Sequence, residues 1–353
     1  MAQKIRVLIV DDSAVIRKLL EKIFSSAPDI EVVGTAQDPY IARDKLVSLK
    51  PDVMTLDVEM PRMDGISFLE KVMQHFPTRT IIFSSLAKTG SETYLRALEA
   101  GAIEIMEKPS IDVSQSLESL AAGFIEKVRA VARARINPVK KIVQAGGPVQ
   151  KIAPTSLART THQLLAVASS TGGTEALKVF LSGMPADIPG TLVVQHMPPG
   201  FTKSFADNLN KMFPFEVKEA AEGDQVVPGR VLIAPGNYHM EIHRSGAFYH
   251  VKLHQGPTLH SVRPAADYMM KSVAKYVGKN ALGVVLTGMG KDGAEGLLEM
   301  KNAGAYTVAQ NEETCVVYGM PAAAVALGAA DKVLPLDKIA GDLLHQLHQR
   351  NAA

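Results

Sequence analysis

Short apolar runs alternate with helical patterns through the first third of the chain. Ile5–Val10, Ile30–Ala36, Val53–Asp57, Thr80–Ser84 and Ile103–Met106 each read as a strand. Between the first two, Val15, Ile16, Leu19, Leu20, Ile23 and Phe24 recur at helical spacing within Ala14–Ala27. Gly65–His75 and Glu92–Ala100 carry helical patterns as well. This βα repetition predicts a parallel sheet with helices on both faces. From Val131 to Thr161 the pattern stops, and Asn137-Pro138, Gly146-Gly147-Pro148 and Pro154 punctuate a linker. A second strand set opens at Leu164–Val167 and continues with Thr191–Gln195, Val231–Ala234, Ala281–Thr287 and Ala305–Ala309. Helical patterns at Glu175–Leu181, Ala265–Val277 and Ala294–Ala303 fall between them. The expected organisation is an α/β domain at 3–125, a linker at 126–160 and a second, mostly parallel α/β domain at 161–348. The two halves share no detectable repeat.

Composition narrows the classes. Of 353 residues, 46% are hydrophobic and 21% charged, a globular balance, and a length that suggests two cores. The net charge of +2 gives no overall field for nucleic acid. No apolar run reaches the roughly 18 residues that span a bilayer, and Asp11 and Asp12 cut the first run too short for a signal peptide. A single cysteine, Cys315, excludes an internal disulfide and reads as a small buried hydrophobe. These features predict a cytoplasmic protein that is not membrane-inserted. Charge is one-sided in one place: no Asp or Glu lies between Glu126 and Glu175, while Lys127, Arg129, Arg133, Arg135, Lys140, Lys141, Lys151 and Arg159 do. That run is either a solvated tether or a docking strip for an acidic partner.

Candidate chemistry sits at strand carboxyl ends, the edge where parallel α/β sheets bind ligands. Asp11 and Asp12 follow the first strand, Asp57 ends the third, Ser84 ends the fourth and Lys108-Pro109 follows the fifth. Three converging carboxylates repel unless a cation joins them, and hard oxygen ligands suit Mg²⁺. A lysine beside them can hold a phosphoryl oxygen, and a carboxylate can accept the phosphoryl group. Over residues 3–125 the segments Val10-Asp11-Asp12-Ser13, Leu56-Asp57 through Asp64-Gly65 and Gly101-Ala102 through Lys108-Pro109 resemble response-regulator receiver domains, which have a flavodoxin-like fold. Glu104 stands where that family more often has Asp. The resemblance implies that Asp57 is the phospho-acceptor, that Asp11, Asp12 and Asp57 hold Mg²⁺, and that Ser84 and Lys108 form the switch. Ser85 is a second candidate for the switch hydroxyl.

In the second half, a strand runs into Ala168-Ser169-Ser170-Thr171-Gly172-Gly173 and then a helix. A helix N-terminus beside a serine offers either a phosphate cradle or a nucleophile with backbone donors. The turn lacks the lysine of a P-loop and nearly fits G-x-S-x-G. Of ten histidines, His196 stands out by place, at a strand end before Met197-Pro198-Pro199-Gly200. Asp292 lies in Thr287-Gly288-Met289-Gly290-Lys291-Asp292-Gly293, also after a strand. His239, His254 and His260 read as surface or packing histidines, and no zinc spacing occurs. Gln195 through Thr202 and Leu286 through Ala294 resemble the catalytic domain of protein-glutamate methylesterases, supported by Ile233-Ala234-Pro235-Gly236 and Asn311-Glu312 through Pro321. Where that family usually reads Gly-Ala, this chain has Ala168-Ser169. The resemblance implies Ser170 as nucleophile, His196 as base, Asp292 as orienting acid, and Thr171 and Met289 lining the site, with no cofactor for the esterase. It also implies methyl-accepting chemoreceptors as substrates, deamidation of receptor glutamines, and a chemotaxis histidine kinase as phosphoryl donor. A receiver joined through a flexible tether would control the esterase by direct contact. Two other classes remain open at this point: a DNA-binding regulator, and a phospho-switched binding module with an inert hydrolase site.

Overall fold

The computed structural model describes residues 3–84, 91–108, 117–136 and 163–352. They form two units, divided between Lys140 and Lys141. Ser85, Pro109 and the basic run from 137 to 159 lie outside the described residues.

The first unit comprises β1 (Ile5–Val10), α1 (Ala14–Ser25), β2 (Ile30–Ala36), α2 (Pro39–Leu49), β3 (Val53–Leu56), α3 (Gly65–His75), β4 (Arg79–Ser84), α4 (Ser91–Glu99), β5 (Glu104–Glu107) and α5 (Leu117–Ala132). All strand pairs are parallel, in the order β2-β1-β3-β4-β5. That order is the flavodoxin-like winding, whose direction reverses between β1 and β3. Short polar residues start three of the helices. Ser13, Asp38 and Asp64 each accept a backbone N–H from the first turn of α1, α2 and α3. β1 ends in four buried residues, Val7–Val10, and β3 is buried throughout, which explains their unbroken apolar runs.

One boundary differs from the sequence pattern. Helix α5 continues to Ala132, past the expected domain end at 125. Val128 and Val131 are buried in the core with Phe24, Ile81 and Phe83, and Phe124 meets Phe83 edge to face. Arg129 in the same turns binds both carboxylate oxygens of Asp29 at 2.8 Å. The residues taken as the start of a tether are therefore the last turns of a core helix. Lys127 and Arg129, which belong to the acid-free basic run of the sequence, pair here with Glu104 and Asp29.

The second unit contains β6 (Leu164–Ser169), α6 (Gly173–Ser182), β7 (Gly190–Gln195), α7 (Phe201–Met212), β8 (Glu216–Glu219), β9 (Arg230–Ile233), β10 (His239–Ser245), β11 (Phe248–His254), α8 (Ala266–Tyr276), β12 (Ala281–Val285), α9 (Ala294–Asn302), β13 (Tyr306–Gln310), α10 (Met320–Ala326), β14 (Lys332–Leu334) and α11 (Leu336–Ala352). Seven strands make a parallel sheet in the order β14-β13-β12-β6-β7-β9-β8. The winding reverses between β6 and β12, so a crevice opens at their carboxyl ends. β10 and β11 form a separate antiparallel hairpin. Its Met240, Ile242, Tyr249 and Val251 join the core, with Met269, Met270 and Val273 of α8 in the same cluster.

Because Val128 and Val131 are fully packed, we expect Val128→Ala and Val131→Ala each to destabilise the first unit by about 2 kcal/mol. Urea unfolding of the two variants measures this; unchanged midpoints would mean that α5 ends earlier.

Candidate active site and acidic pocket

The switch point of the first sheet collects acids. Asp11 and Asp57 are buried, while Asp12 beside them is exposed. Lys108 Nζ lies 2.7 Å from Asp11 Oδ2 and 2.8 Å from Asp57 Oδ2. Asp11 Oδ1 accepts the Ser13 N–H at 2.9 Å, whereas buried Oδ2 has the ion pair but no hydrogen bond of good geometry. Arg17 donates Nη1 to the carbonyls of Asp11 and Asp12 at 2.7 and 2.9 Å and so braces the loop after β1; its sequence position gave no signal of this. Ser84 is buried at the end of β4, and its carbonyl accepts the Lys108 N–H at 2.9 Å. Burial pushes the Asp57 carboxyl up to about 6, against the pull of Lys108; burial raises Asp11 in the same way. One oxygen from each of Asp11, Asp12 and Asp57 falls within 4.8 Å of the others. A hard divalent cation fits such a set of oxygens, since Asp11 Oδ2 meets nothing but the Lys108 ammonium among the described residues.

In the second unit the chain leaves β6 at Ser169 and turns through Ser170, Thr171 and Gly172 into α6. The two serines have opposite surroundings. Ser169 is fully buried and donates its hydroxyl to Gln195 Oε1 at 2.7 Å. Ser170 is half-buried, and its backbone is held on both sides: its N–H donates to Thr287 O at 3.0 Å, and its carbonyl accepts from Gln195 Nε2 at 2.9 Å. The loop that follows β12 presses directly against it. A Cβ at Gly288 would lie 2.8 Å from Ser170 Cβ and 2.3 Å from Met320 Sδ, so only glycine fits there. His196 follows β7, and its N–H donates to Ser169 O at 3.2 Å. Its Nε2 meets Asp292 Oδ2 at 2.8 Å. Asp292 is buried and also accepts the N–H groups of Ala266 (2.6 Å) and Asp267 (3.1 Å) at the start of α8. Burial opposes its charge, but His196 and the two N–H donors outweigh that and hold the carboxyl below the usual range.

The structure thus places Ser170, His196 and Asp292 after β6, β7 and β12, three adjoining strands, and joins the last two directly. Thr171 is buried and its carbonyl accepts from Thr287 Oγ1 at 3.1 Å; Met289 is half-buried in the loop carrying Asp292. His239 is a core histidine, accepting the Ala265 N–H on Nδ1 and facing Pro257 O with Nε2. Cys315 is buried. Sequence reasoning passed over Gln195 and Thr287, whose place at strand ends was the available signal. His260, expected as a surface or packing histidine, is half-buried and pairs with buried Asp267 at 3.0 Å.

Fold and pockets together define a two-domain response regulator, a receiver joined to an α/β output domain. The response regulator receiver model matches residues 7–121, and the CheB methylesterase model matches residues 165–343. A protein-glutamate methylesterase/protein-glutamine glutaminase of Bdellovibrio bacteriovorus is 91% identical over 354 residues, covering 100% of both chains. One from Syntrophus aciditrophicus is 53% identical, over 98% of this chain and 99% of its own. The crystal structure of the Thermotoga maritima CheB methylesterase catalytic domain aligns at 39% identity with a TM-score of 0.51, covering 52% of this chain and 98% of that one. The chain belongs to the CheB protein-glutamate methylesterase family.

The raised Asp57 carboxyl has a measurable consequence. Its folded pKa lies above its unfolded value, so its contribution to stability is full below about pH 4 and is lost as pH rises through about 6. We expect Asp57→Asn to stabilise the receiver by about 1–2 kcal/mol at pH 7.5 without divalent cations, and not at pH 4. Urea unfolding at the two pH values tests the sign.

Proposed function

We propose that the chain is a phosphorylation-activated serine hydrolase that demethylates glutamyl methyl esters on chemoreceptors and deamidates receptor glutamines. The observation that carries this reading is the 2.8 Å pair of half-buried His196 and buried Asp292 beside the strand-end turn that presents Ser170. Ser170 Oγ attacks the side-chain carbonyl carbon, and His196 takes its proton. Because Asp292 holds Nε2, Nδ1 is the nitrogen left for that task. The same proton then goes to the departing methanol, or to ammonia when the substrate is a glutamine. His196 next activates water, which attacks the acyl-serine and releases glutamate and free Ser170. Asp292 fixes the tautomer and stabilises the imidazolium. The start of α6 and its dipole favour the developing oxyanion, and Thr171 and Met289 line the site. Ser169 is unsuited to attack, since its hydroxyl is sealed against Gln195.

In the receiver, Asp57 is the phospho-acceptor, Lys108 pairs with the phosphoryl group, and Ser84 responds to it. Asp11, Asp12 and Asp57 would hold Mg²⁺, which when bound neutralises charge on the phosphoryl oxygens. The phosphoryl donor is a chemotaxis histidine kinase, the substrate a methyl-accepting chemoreceptor, and the setting cytoplasmic. No described helix is long and apolar enough to cross a membrane.

Methanol release from methylated receptors tests the roles. Ser170→Ala, His196→Ala and Asp292→Asn should each cut the rate by about 10⁴ to 10⁶, with combined losses that do not multiply. Ser169→Ala should keep hydrolysis while losing about 1–2 kcal/mol of stability; an inactive Ser169→Ala beside an active Ser170→Ala would overturn the assignment. Acetyl phosphate should raise the wild-type rate and leave Asp57→Asn unchanged.

A further inference from the structure

Helices α8 and α9 cap each other through two acids. Asp292, just before α9, accepts the first two N–H groups of α8, those of Ala266 and Asp267. Asp267, the second residue of α8, accepts the Gly296 N–H of α9 on Oδ1 at 2.7 Å. Its other oxygen meets His260 Nε2 at 3.0 Å. Asp267 is fully buried, and an oxygen of each acid lies with a His260 nitrogen within a 4.8 Å cluster. His260 and Ser261 both take left-handed backbone conformations, at φ 52 and 63. Non-glycine residues pay for that geometry in strain, and here it accompanies a ring set against Asp267.

We propose that Asp267 and His260 form a second histidine–carboxylate pair that positions Asp292 and sets the pH range of hydrolysis. This rests on the reading of His196 as the base. Neither residue is catalytic; both act through Asp292. An ionised Asp267 places a second negative charge behind Asp292, which favours the protonated imidazole of His196. His260, set against Asp267 at 3.0 Å, is the side chain placed to offset that charge whenever it carries a proton. The other charges near the pair are already engaged or remote from the buried side. Lys271 of α8 pairs with Glu295 and Glu299 of α9 at 3.1 and 3.6 Å. Lys291 is exposed beside Asp292, and His239 of β10 is held toward its neutral form by burial. Burial and the neighbouring Asp292 raise the Asp267 carboxyl, while the Gly296 N–H and His260 draw it back.

The test is the pH dependence of kcat and KM of the full chain on a methyl-ester substrate. Asp267→Asn keeps the size and removes the charge, so the acid limb of kcat should move to lower pH by about 0.5–1 unit. His260→Gln leaves Asp267 without its counter-charge, so that limb should move to higher pH. KM should change less than about twofold in both. Opposite shifts support the proposal; acid limbs that stay in place in both variants overturn it, whatever happens to kcat. Should Asp267→Asn fail to fold, His260→Gln alone decides, since His260 lies outside the helices and is partly exposed. Ser170→Ala is the control on the underlying reading. If that variant still hydrolyses ester, the triad assignment has failed; if it is dead and the limbs do not move, only the Asp267–His260 proposal has.

Discussion

Asp292 sits almost wholly out of water, and the second unit is arranged around keeping it ionised there. An unpaired carboxylate in such a place costs several kcal/mol, so its oxygens must be satisfied. Three donors do so: one imidazole and two backbone N–H groups at a helix start. The second requirement fixes where α8 begins, and α9 must then lie close enough for Asp267 to reach it. A Cβ at Gly296 would come within 2.6 Å of Met270 Cβ, so the close approach depends on glycine. The receiver meets the same problem differently. Its two buried acids share one ammonium, Lys108, and receive fewer backbone donors. The outcome is opposite in sign: Asp57 is pushed up and Asp292 is held down. An under-compensated acid pocket is suited to take up a cation and a phosphoryl group; a fully compensated acid is suited to orient an imidazole without changing its own charge.

Parallel winding supplies the rest of the geometry. Every strand of a βα sequence points its carboxyl end to the same edge, so residues far apart in sequence meet there. His196 and Asp292, 96 positions apart in the chain, are joined by one hydrogen bond. Parity along β6 then separates two neighbouring hydroxyls, one locked inside by Gln195 and one left at the crevice.

Much of this was legible because buried strands carry apolar runs and the helices packed on them an apolar stripe. Ile5–Val10, Ile30–Ala36 and Gly65–His75 occur with the bounds that their patterns gave. Helix α2 was not read, since Tyr40 and Val47 stand exposed and blur its apolar face. The β10–β11 hairpin escaped because histidines and charges fill its outer positions, although Met240, Ile242 and Val251 alternate inward. At the site, Ser170, His196 and Asp292 could be nominated because each follows a strand. Asp267 could not. An acid within a helical pattern reads as a solvent-facing position, and only the spatial approach of α9 supplies the N–H that lets it be buried. For a related reason His260 reads in the sequence as no more than a packing histidine, since its partner lies in that buried position.

The mutual capping of α8 and α9 also bears on how the hydrolase assembles. Neither helix start is complete without an acid contributed from the other's neighbourhood, so each end is a frayed coil until both are in place. The two should therefore open and close as a single cooperative unit, with amide protons of Ala266, Asp267 and Gly296 exchanging at one common free energy. The histidine–carboxylate pair would vanish in that opening as a whole, so a partly unfolded molecule carries no half-formed active site.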